Sequence, residues 1–123
     1  MSPAAATVLL VEDSPDLGPL LRDTIEEWNW RVVLARNGSE AMELLAREAV
    51  ALVLLDHELP DMSGPEVLAR LRSEQRRIPP VVLMTARLRP GANADLPEVV
   101  EVLRKPFELS QLSELLERRL PRR

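Results

Sequence analysis

Five short apolar runs punctuate the chain, at residues 7–11, 32–35, 51–55, 81–84 and 99–103, and they limit its possible folds more than any other feature. The first run, Thr7-Val8-Leu9-Leu10-Val11, and the third, Ala51-Leu52-Val53-Leu54-Leu55, show no polar alternation. A strand that is apolar on both faces must be covered on both faces, as in a parallel sheet flanked by helices. The intervening segments carry helical spacing instead. Ser14 and Pro15 offer a cap and a first-turn residue ahead of Leu17, Leu20, Leu21, Ile25 and Trp28. Asn37-Gly38-Ser39 opens a stripe of Ala41, Leu44, Leu45 and Ala49. Ser63-Gly64-Pro65-Glu66 fits a capping box before Val67, Leu68 and Leu71. Leu109, Leu112, Leu116 and Leu120 form the last stripe, ended by Pro121. Alternation of this kind predicts an α/β fold with a parallel sheet and helices on both faces. Two places depart from it. Residues 87–97 contain Pro90, Gly91, Asn93 and Pro97 without a clear stripe, so at most one short helical turn fits there. Glu101, inside the fifth run, marks a sheet edge.

A length of 123 residues suits a single domain, 1–123, and 46% apolar residues suffice for a core. The formal net charge of −4 gives no general attraction to nucleic acid or to anionic membranes. The absence of cysteine excludes disulfide and thiol chemistry and suits a cytoplasmic protein. The start of the chain has neither a basic segment nor a long apolar one, so no signal peptide is expected. No run approaches the roughly 20 residues that span a bilayer. Trp28, Trp30 and Phe107 are the only aromatic residues, too few for the stacking platforms that bind single-stranded nucleic acid. No recognition helix for DNA is visible.

The chemistry lies where the runs end. Glu12 and Asp13 follow the first run, Asp56 the third, Thr85 the fourth, and Lys105 comes just after the fifth. Ligands bind outside the carboxyl ends of the strands in an open parallel sheet, so these groups should meet at one rim. Each also has a plainer reading. Glu12-Asp13 would serve as a polar loop helping to cap a helix, Asp56 and Thr85 as ordinary strand-end residues, and Lys105-Pro106 as a surface lysine before a helix-starting proline. Convergence favours function. Facing carboxylates repel, which raises a pKa or recruits a cation. Mg²⁺ resolves such repulsion, because it takes hard oxygen ligands and keeps waters and phosphate oxygens. Asp56 then suits the role of nucleophile toward a phosphoryl group. Lys105 suits neutralisation of the transferred oxygens, and Thr85 donation of a hydrogen bond to one of them. His57 is the only histidine and there is no cysteine, which argues against a zinc site. No Gly-rich phosphate loop is present. Arg70, Arg72, Arg76 and Arg77, and Arg118, Arg119, Arg122 and Arg123, read as solvated basic faces.

Four features in order resemble the receiver domain of two-component response regulators. They are the acidic pair Glu12-Asp13, the stretch Leu54-Leu55-Asp56-His57-Glu58-Leu59-Pro60-Asp61-Met62-Ser63-Gly64, the pair Thr85-Ala86, and Lys105-Pro106-Phe107. The resemblance covers essentially the whole chain. It implies a flavodoxin-like, doubly wound, five-stranded parallel sheet in the order 2-1-3-4-5, with the family's fourth helix short or missing here. It implies Asp56 as phosphoacceptor and Thr85 and Lys105 as phosphoryl contacts. It implies Mg²⁺ held by Asp13, by the Asp56 side chain and by the backbone carbonyl of Glu58, with Glu12 acting through water. It also makes Lys105-Pro106 a candidate cis bond. Val102 departs from the family, which usually carries Tyr or Phe three residues before the lysine.

The resemblance further implies a histidine kinase or phosphotransfer protein as phosphoryl donor and a downstream protein target. It implies a monomer or weak homodimer that contacts neither nucleic acid nor membrane. The expected activity is signalling, with at most self-phosphorylation and slow autodephosphorylation. The chain is either a stand-alone regulator or a piece of a larger one. The competing readings are a pseudo-receiver that binds partners without phosphorylation and, less well supported, a small phosphohydrolase.

Overall fold

The computed structural model describes residues 6–87 and 96–121. Nine elements run in the order β1 (Thr7–Val11), α1 (Leu17–Glu27), β2 (Arg31–Ala35), α2 (Gly38–Arg47), β3 (Leu52–Asp56), α3 (Gly64–Ser73), β4 (Val81–Thr85), β5 (Val99–Arg104) and α4 (Leu109–Arg119). All five strands are parallel, in the order β2-β1-β3-β4-β5. This is the flavodoxin-like doubly wound sheet that the resemblance implies. The three inner strands, β1, β3 and β4, are buried along their whole length, whereas β2 and β5 are partly exposed, as edges must be. The expectation of a short or missing helix between β4 and β5 falls largely on residues 88–95, outside the described residues.

Alternate side chains of each inner strand feed two cores, one on either face. Val8, Leu10, Leu52, Leu54, Val82 and Met84 pack with Leu21 and Ile25 of α1 and with Leu112, Leu115 and Leu116 of α4. Leu9, Val11, Val53, Leu55, Val81 and Leu83 pack with Ala41 of α2 and with Val67, Leu68 and Leu71 of α3. A bulge re-phases β5: Val81 pairs with Val99 but Val82 with Glu101, so Val100 is the extra residue. Val99 and Val102 therefore share the α2/α3 face, and Leu103 turns toward α4.

Local chemistry explains the helix starts. The Ser14 hydroxyl accepts the Leu17 amide at 3.1 Å, although the helix proper begins later than the Ser14-Pro15 signal suggests. Asn37 Oδ1 accepts the Glu40 amide at 2.7 Å. Ser63 accepts the Glu66 amide at 3.2 Å, while the Glu66 carboxylate pairs with Arg70. Three helical stripes differ from expectation. Leu20 and Leu109 lie at the margins of their apolar stripes and are 58% and 46% exposed, while Leu115 joins the core. Ala49 lies beyond the end of α2 and is exposed.

The basic faces are also less free than the sequence suggests. Arg118 and Arg119 both bind the Glu101 carboxylate, at 2.6 and 2.7 Å, tying α4 to the sheet edge. Arg72 binds Glu98 at 3.0 Å, and Arg76 reaches the Met42 carbonyl at 2.7 Å. No helix among the described residues is long and apolar enough to cross a membrane.

Candidate functional site: an acidic cleft with one lysine

The carboxyl ends of β1, β3, β4 and β5 open into a cleft of about 620 Å³. Glu12, Asp13, Asp56, Glu58, Thr85 and Lys105 all line it, beside His57 and Arg87. Every site residue read from the sequence is therefore at one rim. Parallel pairing in register is the cause: Val11 lies beside Leu55, Asp56 beside Met84, and Thr85 beside Arg104. The residue that ends or follows each strand is thus carried to the same level.

Carboxylate oxygens of Glu12, Asp13 and Asp56 lie within 4.8 Å of one another. Glu12 is 2% exposed and Asp56 7%, whereas Asp13 faces solvent. The Lys105 ammonium enters this cluster, 2.7 Å from Glu12 Oε1 and 3.1 Å from Asp56 Oδ2. The peptide bond that follows it, Lys105-Pro106, is cis. Burial first, and then the hydrogen bond and charge of Asp56, raise the Glu12 pKa against the opposing pull of Lys105. For Lys105 the balance is reversed. Burial would lower its pKa, but the hydrogen bond to Glu12 and the charges of Asp56 and Glu12 outweigh it and raise it.

Two residues occupy the cleft differently from the other four. The Thr85 hydroxyl donates to the Arg87 carbonyl at 2.9 Å and accepts the Arg87 amide at 3.0 Å, so it closes its own loop. Glu58 contributes backbone: its amide donates to Asp56 Oδ1 at 3.2 Å. The loop carrying Glu58 is closed at its base by the Gly64 amide on the His57 carbonyl, at 2.8 Å, and by a bridge between Glu58 and Ser63.

A hard divalent cation fits this donor set. Three carboxylates stand close enough to share one ion, and burial together with the neighbouring Asp56 already raises the pKa of Glu12. The single lysine neutralises only part of that charge.

Sequence reasoning did not find Asp61. Its carboxylate accepts the Gly38 amide at 2.8 Å, the Ser39 amide at 2.9 Å and the Ser39 hydroxyl at 3.0 Å, across 22 and 23 residues of chain. The only local trace is an aspartate among loop residues, which is too common to single out.

A doubly wound sheet that gathers acids, a hydroxyl and a lysine at one rim defines a class of signalling domain built around an acidic acceptor pocket. The chain belongs to the response regulator receiver domain family, whose family model matches residues 8–117. It is 36% identical over 114 residues to the uncharacterized transcriptional regulatory protein YkoG of Bacillus subtilis, covering 85% of this chain and 46% of that one. The chemotaxis protein CheY4 of Vibrio cholerae superposes with a TM-score of 0.85 at 26% identity, covering 95% of this chain and all of that one (100%). The response regulator TrrA of Thermotoga maritima, solved in complex with Mg(2+)-BeF, superposes with a TM-score of 0.79 at 29% identity, covering 94% of this chain and 99% of that one. The chain spans less than half the length of several curated relatives, 46%, 34% and 24% of three of them.

Proposed function

We propose that residues 1–123 form a single receiver domain that accepts a phosphoryl group on Asp56 and signals by phosphorylation-dependent protein contact. One observation carries this reading: the Lys105 ammonium and the carboxylates of Glu12 and Asp56 share a cleft at the strand ends, with Asp13 at its mouth. A carboxylate oxygen of Asp56 attacks phosphorus. The new P–O bond forms as the bond to the donor's leaving atom breaks, and the leaving group keeps the electron pair. Lys105 stays protonated throughout and balances charge on the transferred oxygens. The Glu58 amide, already on Asp56 Oδ1, holds the acceptor carboxylate in orientation. For Thr85 to contact the phosphoryl group, its hydroxyl must leave the Arg87 backbone.

Asp13, the Asp56 side chain and the Glu58 carbonyl would hold Mg²⁺, with Glu12 acting through water. When bound there, the ion supplies positive charge to the phosphoryl oxygens and offsets the repulsion among the acids. The donor is a histidine kinase or phosphotransfer protein, and the product binds a downstream protein in the cytoplasm. An apolar groove of about 500 Å³, lined by Leu17, Leu20, Pro106, Phe107 and Leu109, shares Lys105 and Ala86 with the acidic cleft. It offers the donor a dry contact beside the acceptor. The domain is a monomer or weak homodimer and contacts neither nucleic acid nor membrane.

Intact-mass measurement tests this reading. The chain is incubated with Mg²⁺ and a small phosphodonor, beside Asp56→Asn. One phosphoryl adduct that requires Asp56 supports it. No adduct with any donor favours the pseudo-receiver. Rapid turnover of a phosphate monoester without an adduct favours a phosphohydrolase.

A further inference from the structure

The loop between β3 and α3 is fastened to α2 at its tip as well as to itself at its base. Asp61 grips the first turn of α2 through both carboxylate oxygens, on the Gly38 and Ser39 amides and the Ser39 hydroxyl. The next residue, Met62, is buried and lies over Gly38 so closely that a Cβ there would come within 2.5 Å of Met62 Cγ and 2.8 Å of its sulfur. Two chemically independent contacts, one hydrogen-bonded and one apolar, therefore pin the tip of the loop. The same loop carries Glu58, three residues from Asp61, whose amide is on Asp56 Oδ1.

We propose that Asp61 is a positioning residue for the metal and phosphoryl site, acting through the loop that presents the Glu58 backbone to Asp56. The proposal rests on the metal-dependent reading of the cleft given above. The physical reason is entropic. A loop closed only at its base leaves its backbone oxygens free to sample many directions, and a metal must then pay to order them. Docking Asp61 and Met62 on α2 removes most of that freedom beforehand. Asp61 remains ionised over the working range. Slight burial would raise its pKa, but the Gly38 and Ser39 donors outweigh burial and lower it below its ordinary 3.8.

Mg²⁺ affinity, measured by calorimetry on the full chain, distinguishes positioning from mere helix capping. Four variants are compared with wild type: Asp61→Ala, Asp61→Asn, Ser39→Ala and Asn37→Ala. Asn37→Ala removes a different cap at the same helix end, the bond to the Glu40 amide, and leaves the loop contacts in place. Asp61→Ala is expected to weaken Mg²⁺ binding roughly tenfold, the low end for partners outside the ligand shell. Ser39→Ala, which removes only the hydroxyl bond, should weaken it less. Asp61→Asn keeps one accepting oxygen but turns an NH2 group toward a backbone amide donor, so it should recover only part of the affinity. Asn37→Ala should bind within about twofold of wild type even where its melting temperature falls as far as that of Asp61→Ala. The proposal is overturned by unchanged affinity in Asp61→Ala or by an equal loss in Asn37→Ala. A wild-type chain that takes up no Mg²⁺ overturns the reading of the cleft itself, before any variant is compared.

Discussion

The Lys105 ammonium sits nearer to Glu12 Oε1, at 2.7 Å, than to Asp56 Oδ2, at 3.1 Å. In this state the lysine chiefly neutralises Glu12 rather than Asp56, although both carboxylates are buried. It also occupies charge that a divalent cation would otherwise use. Lys105→Met should therefore have two opposite effects. In chelator at neutral pH it should lose about 3 kcal/mol, because removing one partner strands a buried charge. Its Mg²⁺ affinity should rise above that of wild type, since the competing cation is gone. Urea denaturation with and without Mg²⁺ reads both effects. Equal stability of the two proteins in chelator would show that the ion pair contributes nothing.

Protons compete for the same site, and the sign follows from Glu12. Its pKa is raised from 4.5, burial and Asp56 being the main causes. Between 4.5 and the raised value the native chain holds a proton that the unfolded chain releases. Stability from this group therefore falls as pH rises through that window. Mg²⁺ needs the deprotonated cluster, so its affinity should fall as pH drops into the window, earlier than for carboxylates titrating at 4.5. Lys105 acts at the other end. Its raised pKa gives stability that is complete below 10.5 and lost as pH climbs through the folded value. Mg²⁺ titrations from pH 7.5 down through pH 4.5, and denaturation above pH 10, are the measurements. An affinity that begins to fall only below pH 4.5 would contradict the raised Glu12.

Glu101 predicts the opposite acid behaviour. Partial burial would raise its pKa, but the hydrogen bonds and charges of Arg119 and Arg118 outweigh burial and lower it from 4.5. Its contribution is then present above 4.5 and lost as pH falls through the folded value. Both arginines are substantially solvated, so the pair is worth only about 0.5–1 kcal/mol. Glu101→Gln should cost that amount at pH 7 and less near pH 3. Paired denaturation curves at the two pH values check it. A loss that persists undiminished at pH 3 would place the role of Glu101 in packing rather than charge.

The site is legible in the sequence because each of Glu12, Asp13, Asp56, Thr85 and Lys105 ends or follows an apolar run, and parallel pairing carries run ends to one rim. What depends on contacts between distant segments is not legible. Asp61 looks like any loop aspartate until folding brings it to residues 22 and 23 positions away. Arg118 and Arg119 look unpaired until the bulge at Val100 turns Glu101 to the face that α4 covers. Thr85 ends its strand as expected, yet its hydroxyl prefers the nearby Arg87 backbone, a competition that spacing cannot reveal. Periodicity likewise locates a helical stripe without fixing its centre. Leu20 and Leu109 therefore look interior and are not, while Leu115 packs unannounced.

Three glycines offer a graded test of how tightly the rim is assembled. None of Gly18, Gly38 and Gly64 has a left-handed φ, so space rather than backbone conformation decides the effect of a methyl group. At Gly18 the nearest neighbours would be the Glu12 carbonyl at 3.4 Å and Leu34 methyls at 3.5 and 3.6 Å, which is ordinary contact. Gly18→Ala should be neutral or stabilising by up to about 0.5–1 kcal/mol, because alanine loses less backbone entropy in a helix. At Gly64 the methyl would meet the Asp56 carbonyl at 2.6 Å, backbone that cannot yield without moving the acceptor strand. Gly64→Ala should cost about 2 kcal/mol and slow phosphorylation of Asp56. At Gly38 the obstacles are side chains, Met62 Cγ at 2.5 Å and Val67 Cγ2 at 3.0 Å, which yield more readily than backbone, so Gly38→Ala should cost about 1–2 kcal/mol. Displacing Met62 also loosens the loop on α2, so Gly38→Ala should weaken Mg²⁺ binding where Gly18→Ala leaves it unchanged. Chemical denaturation and Mg²⁺ titration of the three variants separate these effects. Should Gly64→Ala prove as benign as Gly18→Ala, the packing of α3 against the end of β3 is looser than these distances require.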